Sequence, residues 1–315
     1  MLSRRLVRVK VLQMLYARLQ SDEQSIDKTE KELFFSLNKC YELYHYLLLL
    51  LTDIVHYAEM RMDIGRQKNF PTSEELNPNL KFVGNIVIRS IADSNMFQKY
   101  IFENKISWSN YPGLIKVLYK EILNSDGFNQ HMQNPERSVE NDRKLVKFVL
   151  RQIFARSEDL TQALEEKSIY WNDELEFVIS LIIELLSGKD NDHTGVVLLE
   201  PYDDKNEDNF AKRLLRQSII NHDHYRAIIN PHIENWNIER MALIDILIIQ
   251  LAITELIEFP FIPVKVTLNE YIEIARFYST EKSGQFINGI LDKVIEQLKS
   301  EGKIKKRGKG LRGEI

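Results

Sequence analysis

The sequence predicts an all-α protein, and three observations carry that prediction. Twelve Gly and eight Pro in 315 residues leave little material for the many tight turns of a strand-rich fold. Apolar residues recur at helical spacing over long stretches, the first of which, Arg4 to Gln20, contains neither Gly nor Pro. One helix start carries a local signature. Thr267-Leu268-Asn269-Glu270 has capping-box spacing, in which the Thr oxygen accepts the Glu270 N–H and the Glu side chain reaches back. Val266 and Tyr271 occupy the matching staple positions.

In chain order, the first helix is followed by polar Ser21–Lys31 and a long helical pattern over Leu33–Arg66. Phe70-Pro71-Thr72-Ser73 and Asn77-Pro78-Asn79 interrupt it. Further helices are expected over Leu80–Asn104, Tyr111–Gln130, Ser138–Arg156, Asp159–Glu166 and Asn172–Ser187, with Gly188 as a C-terminal stop. Lys189–Asn209, with Gly195, Pro201 and several Asp, reads as the clearest loop, although Val196–Leu199 is expected to pack onto something. From Phe210 the pattern is helical again, and Pro260 and Pro263 stop the helix before the capped one. The expected organisation is an N-terminal helical part over residues 1–209, a C-terminal bundle over 210–301 and a basic, disordered tail over 302–315.

Charge is unevenly placed. In the tail, Lys303, Lys305, Lys306, Arg307, Lys309 and Arg312 against Glu314 give a net of +5, so the rest of a chain with net charge −4 carries −9. Such asymmetry suits a segment that reaches an anion. One cysteine, Cys40, excludes an internal disulfide and a cysteine zinc site, in keeping with a reducing compartment. No apolar leader follows Met1. The apolar stretch Leu243–Ile257 includes Asp245, Gln250 and Glu255 and suits a buried helix better than a membrane span. The expected location is cytoplasmic, with no membrane partner.

Signals of catalysis are missing from the sequence. It has no phosphate-cradling Gly loop and no Gly-x-Ser-x-Gly elbow. His222 and His224, two apart on a helix, point about 200° away from each other and would not share a metal. The expectation is a non-enzyme with no catalytic residue, metal or cofactor. More informative is the first helix, where Arg4, Arg8 and Arg5 share an arc of roughly 100°. Beyond them Val9, Val11, Leu12, Met14, Leu15 and Leu19 make the helix apolar nearly all round, so its body should be buried and its charged start exposed. Cations at a helix N-terminus are unfavourable by about 0.3–1 kcal/mol each, and an RNA phosphate held bidentately by Arg would offset this. On these residues alone, an ordinary basic N-terminus is the simpler reading.

Four segments then resemble one family in its own order. Residues 263–276, PVKVTLNEYIEIAR, and 283–292, SGQFINGILD, are similar to two adjoining motifs of the NusB transcription antitermination factors. Upstream, residues 249–256, IQLAITEL, and the opening Arg4-Arg5-Leu6-Val7-Arg8 with Gln13-Met14-Leu15-Tyr16 resemble two more. The resemblance covers about 1–20 and about 210–300, so about 21–209 reads as a large helical insertion into NusB-like helical bundles. It implies pairing with ribosomal protein NusE, binding of boxA-like single-stranded RNA and assembly into an RNA polymerase antitermination complex. It implies RNA contacts at Arg4, Arg5, Arg8 and Tyr16, at Arg276 and Tyr278, and at Ser279, Lys282, Ser283 and Gln285 in the following loop. Glu255 would meet the basic ribosomal protein. Phe286, Ile290 and Leu291 are expected in the core and Asn288-Gly289 at a close-packing site. The chain departs from the family at Tyr278-Ser279, where Phe-Gly is usual. The alternatives are a helical interaction scaffold and a detached RNA-binding module of the kind that accompanies RNA methyltransferases.

Overall fold

The computed structural model describes residues 4–21, 25–171, 174–187, 198–199, 207–233, 242–278 and 281–312. Fifteen α-helices follow one another among these: α1 (Arg4–Gln20), α2 (Ile26–Arg66), α3 (Ser73–Leu76), α4 (Ile86–Ala92), α5 (Asn95–Glu103), α6 (Pro112–Leu123), α7 (Asp126–Gln133), α8 (Val139–Phe148), α9 (Glu158–Lys167), α10 (Leu175–Ser187), α11 (Glu207–Ile220), α12 (His222–Ile233), α13 (Leu243–Glu258), α14 (Val264–Tyr278) and α15 (Glu281–Ser300). No strand occurs among the described residues, so the all-α expectation holds.

Two compact units make up the chain: residues 1–37 with 200–315, and residues 38–199. This division departs from a boundary at 209, because α1 packs against α11 and α13, far along the chain, rather than against its sequence neighbours. The first unit is organised around α13. Its residues Asp245–Leu256 are all buried, and α1, α11, α12, α14 and α15 pack around it. A helix apolar on every side needs neighbours on every side. Among the described residues, no helix is long and apolar enough to cross a membrane.

Most polar groups inside α13 are matched, as burial demands, although Oδ1 of the buried Asp245 has no hydrogen-bond partner among the described residues. Gln250 donates to the Ser218 carbonyl at 2.7 Å, and its carbonyl oxygen lies 3.0 Å from Nδ1 of His222. Thr254 and Ser218 share a hydroxyl contact of 2.9 Å. His222 therefore has a structural task. At the edge of this unit, Arg216 holds both Glu30 and Asp27 and so ties the start of α2 to α11.

The second unit centres on aromatic side chains. The indole N–H groups of Trp108 and Trp171 donate to the carbonyls of Tyr46 and Lys39, both at 2.9 Å. Tyr41 donates to the Leu199 carbonyl and Tyr44 accepts from the Leu199 N–H, so Leu198 and Leu199 are buried, as their apolar character suggested. Val196 and Val197, Gly188 and most of the loop expected at Lys189–Asn209 lie outside the described residues. Serines divide what the sequence reads as longer helices. Ser94 caps α5 within Leu80–Asn104, and Ser125 caps α7 within Tyr111–Gln130. Over Ser138–Arg156, α8 passes into a π-helical turn at Val149–Ile153 and a 3-10 turn at Phe154–Arg156.

Capping also differs from expectation. The reciprocal box forms at Thr72 and Glu75, at the start of α3. At Thr267 it does not, because α14 begins a turn earlier, at Val264. The N–H groups of Val266 and Thr267 bond to the Pro263 carbonyl, which leaves the Thr267 hydroxyl and the Glu270 carboxylate for other work. Proline at a helix start is preorganised for this role.

Candidate nucleic-acid interface

Arg8 determines how the basic first helix sits. The sequence places it with Arg4 and Arg5 on a solvent-facing start, but the structure buries it to 2 % exposure. Its guanidinium grips Glu255 of α13 through Nε at 2.7 Å and a terminal nitrogen at 2.8 Å, and it reaches Glu270 of α14 at 3.4 Å. Glu255 is fully buried and accepts two further hydrogen bonds, from the Thr267 hydroxyl at 2.9 Å and the Tyr271 hydroxyl at 3.2 Å. Burial lowers the tendency of Arg8 to hold its proton, but the hydrogen bonds and charge of Glu255 outweigh it and raise its pKa. Burial, then the charge of Glu255, raises the Tyr271 pKa well above the ordinary value. Arg8 and Glu255 are therefore not at the surface as an RNA contact and a partner contact. Each is the other's counter-charge, and together they lock α1 onto α13 and α14.

The other expected contacts fall into distinct groups. Arg5 is about one-third exposed and forms a bidentate pair with Glu270, at 3.1 and 3.0 Å. Arg4 is exposed, with its guanidinium 5.6 Å above the Phe210 ring. Tyr16 is 40 % exposed. Arg5 and Tyr16 are eleven positions apart, so they share one edge of α1 about 16 Å apart along its axis. On α14, Arg276 is largely exposed and pairs with Glu273 at 2.6 Å, Phe277 is half-exposed, and Tyr278 is half-buried with its ring 5.1 Å from that of Phe277. Gln285 is exposed on α15. Ser283 is not available to RNA, because it is buried and donates to Asp245 at 3.3 Å. Ser279 and the side chain of Lys282 lie outside the described residues.

One expectation about the final helix does not hold. Gly289 is exposed and a Cβ there would meet nothing within 4 Å, so Asn288-Gly289 is not a close-packing site. Close packing occurs at Gly284, where a Cβ would lie 3.3 Å from Cγ of Arg276. Ile290 and Leu291 are buried as expected, while Phe286 is half-buried. The sequence reading missed Glu270 and Thr267 as partners because their spacing matches a capping box. The signal that could have found them is an acid at 255 inside an otherwise apolar helix and an arginine at 8 between Val7 and Val9, each of which requires a buried partner.

Known proteins resemble part of the chain, and the family match takes in α11–α14. A family model described as "NusB family" matches residues 176–296, a segment that leaves out α1. Transcription antitermination protein NusB of Salinibacter ruber is 40% identical over 111 residues, 35% of this chain and 69% of that protein. Its counterpart from Chloroherpeton thalassium is 38% identical over 117 residues, 37% of this chain and 56% of the relative. That of Thermodesulfovibrio yellowstonii is 42% identical over 98 residues, 30% of this chain and 65% of the relative. No solved structure matches the chain. With the α13–α15 motifs in the family's order and a relative matched over two-thirds of its length, the chain belongs to the NusB family and carries additional helices in its middle.

Proposed function

We propose that this chain is a non-enzymatic, cytoplasmic transcription antitermination factor that pairs with ribosomal protein NusE and binds boxA-like single-stranded RNA within an RNA polymerase antitermination complex. The observation that carries this reading is the edge of α1 formed by Arg4, Arg5 and Tyr16, held rigidly by the buried Arg8–Glu255 pair. Arginines on a fixed helix can exchange a carboxylate or solvent for phosphate, and an exposed tyrosine offers a face on which a base can stack. Holding them in place before binding lowers the ordering cost. Arg276, Tyr278 and Gln285 extend the proposed surface along α14 and α15. Ser279 and Lys282 remain part of the proposal, whereas Arg8, Ser283 and Glu255 serve the fold.

The test is binding of a boxA-like RNA by the full chain with NusE. Arg4→Ala combined with Arg5→Ala is expected to lower affinity at least tenfold and to make the salt dependence shallower, by about 0.7 in log–log slope per lost phosphate contact. Unchanged affinity and slope in that variant would show that α1 is not the RNA surface. Tyr16→Ala is expected to weaken binding with the slope unchanged, since stacking releases no counterions.

A further inference from the structure

The basic residues after α15 do not hang free as the sequence suggests. Lys306 Nζ donates to the Phe259 carbonyl at 3.0 Å, and the Arg307 N–H donates to the Pro260 carbonyl at 2.9 Å. A 3-10 turn, Gly308–Leu311, follows. Gly308 has a φ of +54°, and a Cβ on Gly310 would collide with the Pro260 carbonyl, so both positions favour glycine. The segment is thus pinned to the turn between α13 and α14.

That pinning decides where the cations go. Lys305, Arg307, Lys309 and Arg312 are exposed and have no carboxylate in ion-pair distance among the described residues. Nearby acids are already taken: Glu301 by Lys303 at 2.6 Å and Glu258 by Arg213 at 2.9 Å. Arg213 also lies 5.3 Å above the Phe259 ring, which is 4.9 Å from the ring of Phe210, over which Arg4 sits. The pinned segment and the start of α1 therefore border the same aromatic pair, the segment at the Phe259 carbonyl and Arg4 at the Phe210 ring. Beside them Phe261 is 66 % exposed, with its ring edge against Gly308.

We propose that Lys305, Arg307, Lys309 and Arg312 with Phe261 form a second single-stranded RNA contact, continuous with Arg4, in which the cations hold phosphates and the ring stacks a base. This rests on the RNA-binding reading above. Unpaired cations held close together repel, and a polyanion relieves that repulsion. An exposed ring among cations is the combination that single-stranded nucleic acid uses, because every base offers a π-face whatever its sequence. An acidic protein surface would need the cations but not the ring.

Two variants of the full chain test it, with NusE and a boxA-like RNA that extends beyond the element. Replacing Lys305, Arg307, Lys309 and Arg312 by Ala keeps all the pinning contacts, since Arg307 is pinned by its main chain. It is expected to lower affinity and to make the salt slope shallower, by about 0.7 per lost contact. Phe261→Leu is expected to lower affinity about tenfold with the slope unchanged. Circular dichroism and resistance of residues 303–312 to proteolysis check that both variants keep the fold. If Arg4→Ala with Arg5→Ala weakens binding while both of these variants bind like the parent, the second contact is wrong and the RNA reading stands. If the parent binds no RNA, both fall. Loss of NusE pairing with RNA affinity intact would also overturn the proposal.

Discussion

In the unit of residues 1–37 and 200–315, buried charge meets buried charge: Arg8 and Glu255, 247 positions apart, face each other across two helices. In the unit of residues 38–199, buried charge mostly meets the main chain. Lys81 donates to the carbonyls of Asn134 and Glu136 at 2.5 and 3.0 Å, and Asp142 accepts the Ile86 N–H at 2.7 Å. His131 and Asp142, 3.6 Å apart, are the nearest approach to an ion pair between buried side chains described there. The difference is one of consequence. Where charge answers charge, deleting one side chain strands a full opposite charge. Where charge answers backbone, it strands only a dipole.

The largest expected effect follows directly. Arg8→Ala should destabilise the first unit by about 3–5 kcal/mol, because Glu255 is left buried without its counter-charge. Arg8→Met combined with Glu255→Leu should recover much of that loss, which urea unfolding of the single and double variants would measure. Lys81→Met in the second unit should cost less, about 1–3 kcal/mol. Equal losses in the two units would break the comparison.

Titration sharpens it further. His45 is fully buried, with Nδ1 2.9 Å from the Tyr41 carbonyl, and burial lowers its pKa to about 4. Between pH 6.5 and 4 the unfolded chain binds this proton and the folded chain does not, so His45 withdraws stability as pH falls, by about 1.4 kcal/mol per pH unit. Asp53, on the same helix, acts in the opposite sense. Burial raises its pKa to about 6, so between pH 3.8 and 6 the folded state binds the extra proton and is favoured as pH falls. His45→Phe should therefore make unfolding less sensitive to acid than in the parent, and Asp53→Asn more sensitive. Thermal unfolding at pH 4.5 and 6.5 reads both signs.

Two glycines of the first unit give effects of opposite sign, the smaller of them at Gly289. Gly310→Ala should cost about 1–3 kcal/mol and expose residues 303–312 to protease, since its Cβ has no room beside Pro260. Gly289→Ala, within α15 and facing open space, should stabilise by about 0.5–1 kcal/mol. A loss at Gly289 would point to a close contact that the free chain does not form.

Several features were legible in the sequence because local chemistry decides them. The few glycines and prolines and the all-round apolar character of Leu243–Ile257 marked the helices directly. Helix divisions at Ser94 and Ser125 were missed, because a serine within a helical pattern reads equally as interior or cap until its backbone turns. At the candidate site, the arginines of α1 were legible as a cluster, but not which of them would be buried. Arg4, Arg5 and Arg8 share one arc of the helix. Only the approach of α13 and α14 makes Arg8 interior and leaves Arg4 outside.

The all-α class, the order of the helices and the motifs of the family can be read from the chain alone, because helical periodicity and proline placement act within a few residues. Only tertiary contacts make Glu255 a buried counter-ion rather than a docking charge, turn Thr267 to Glu255 and Glu270 to arginines rather than to a cap, and pin Lys305–Arg312. Each depends on a partner from a dozen to hundreds of positions away. A carboxylate and a guanidinium carry the same charge at the surface or in the core, and only the helices that close around them settle whether they face water or each other.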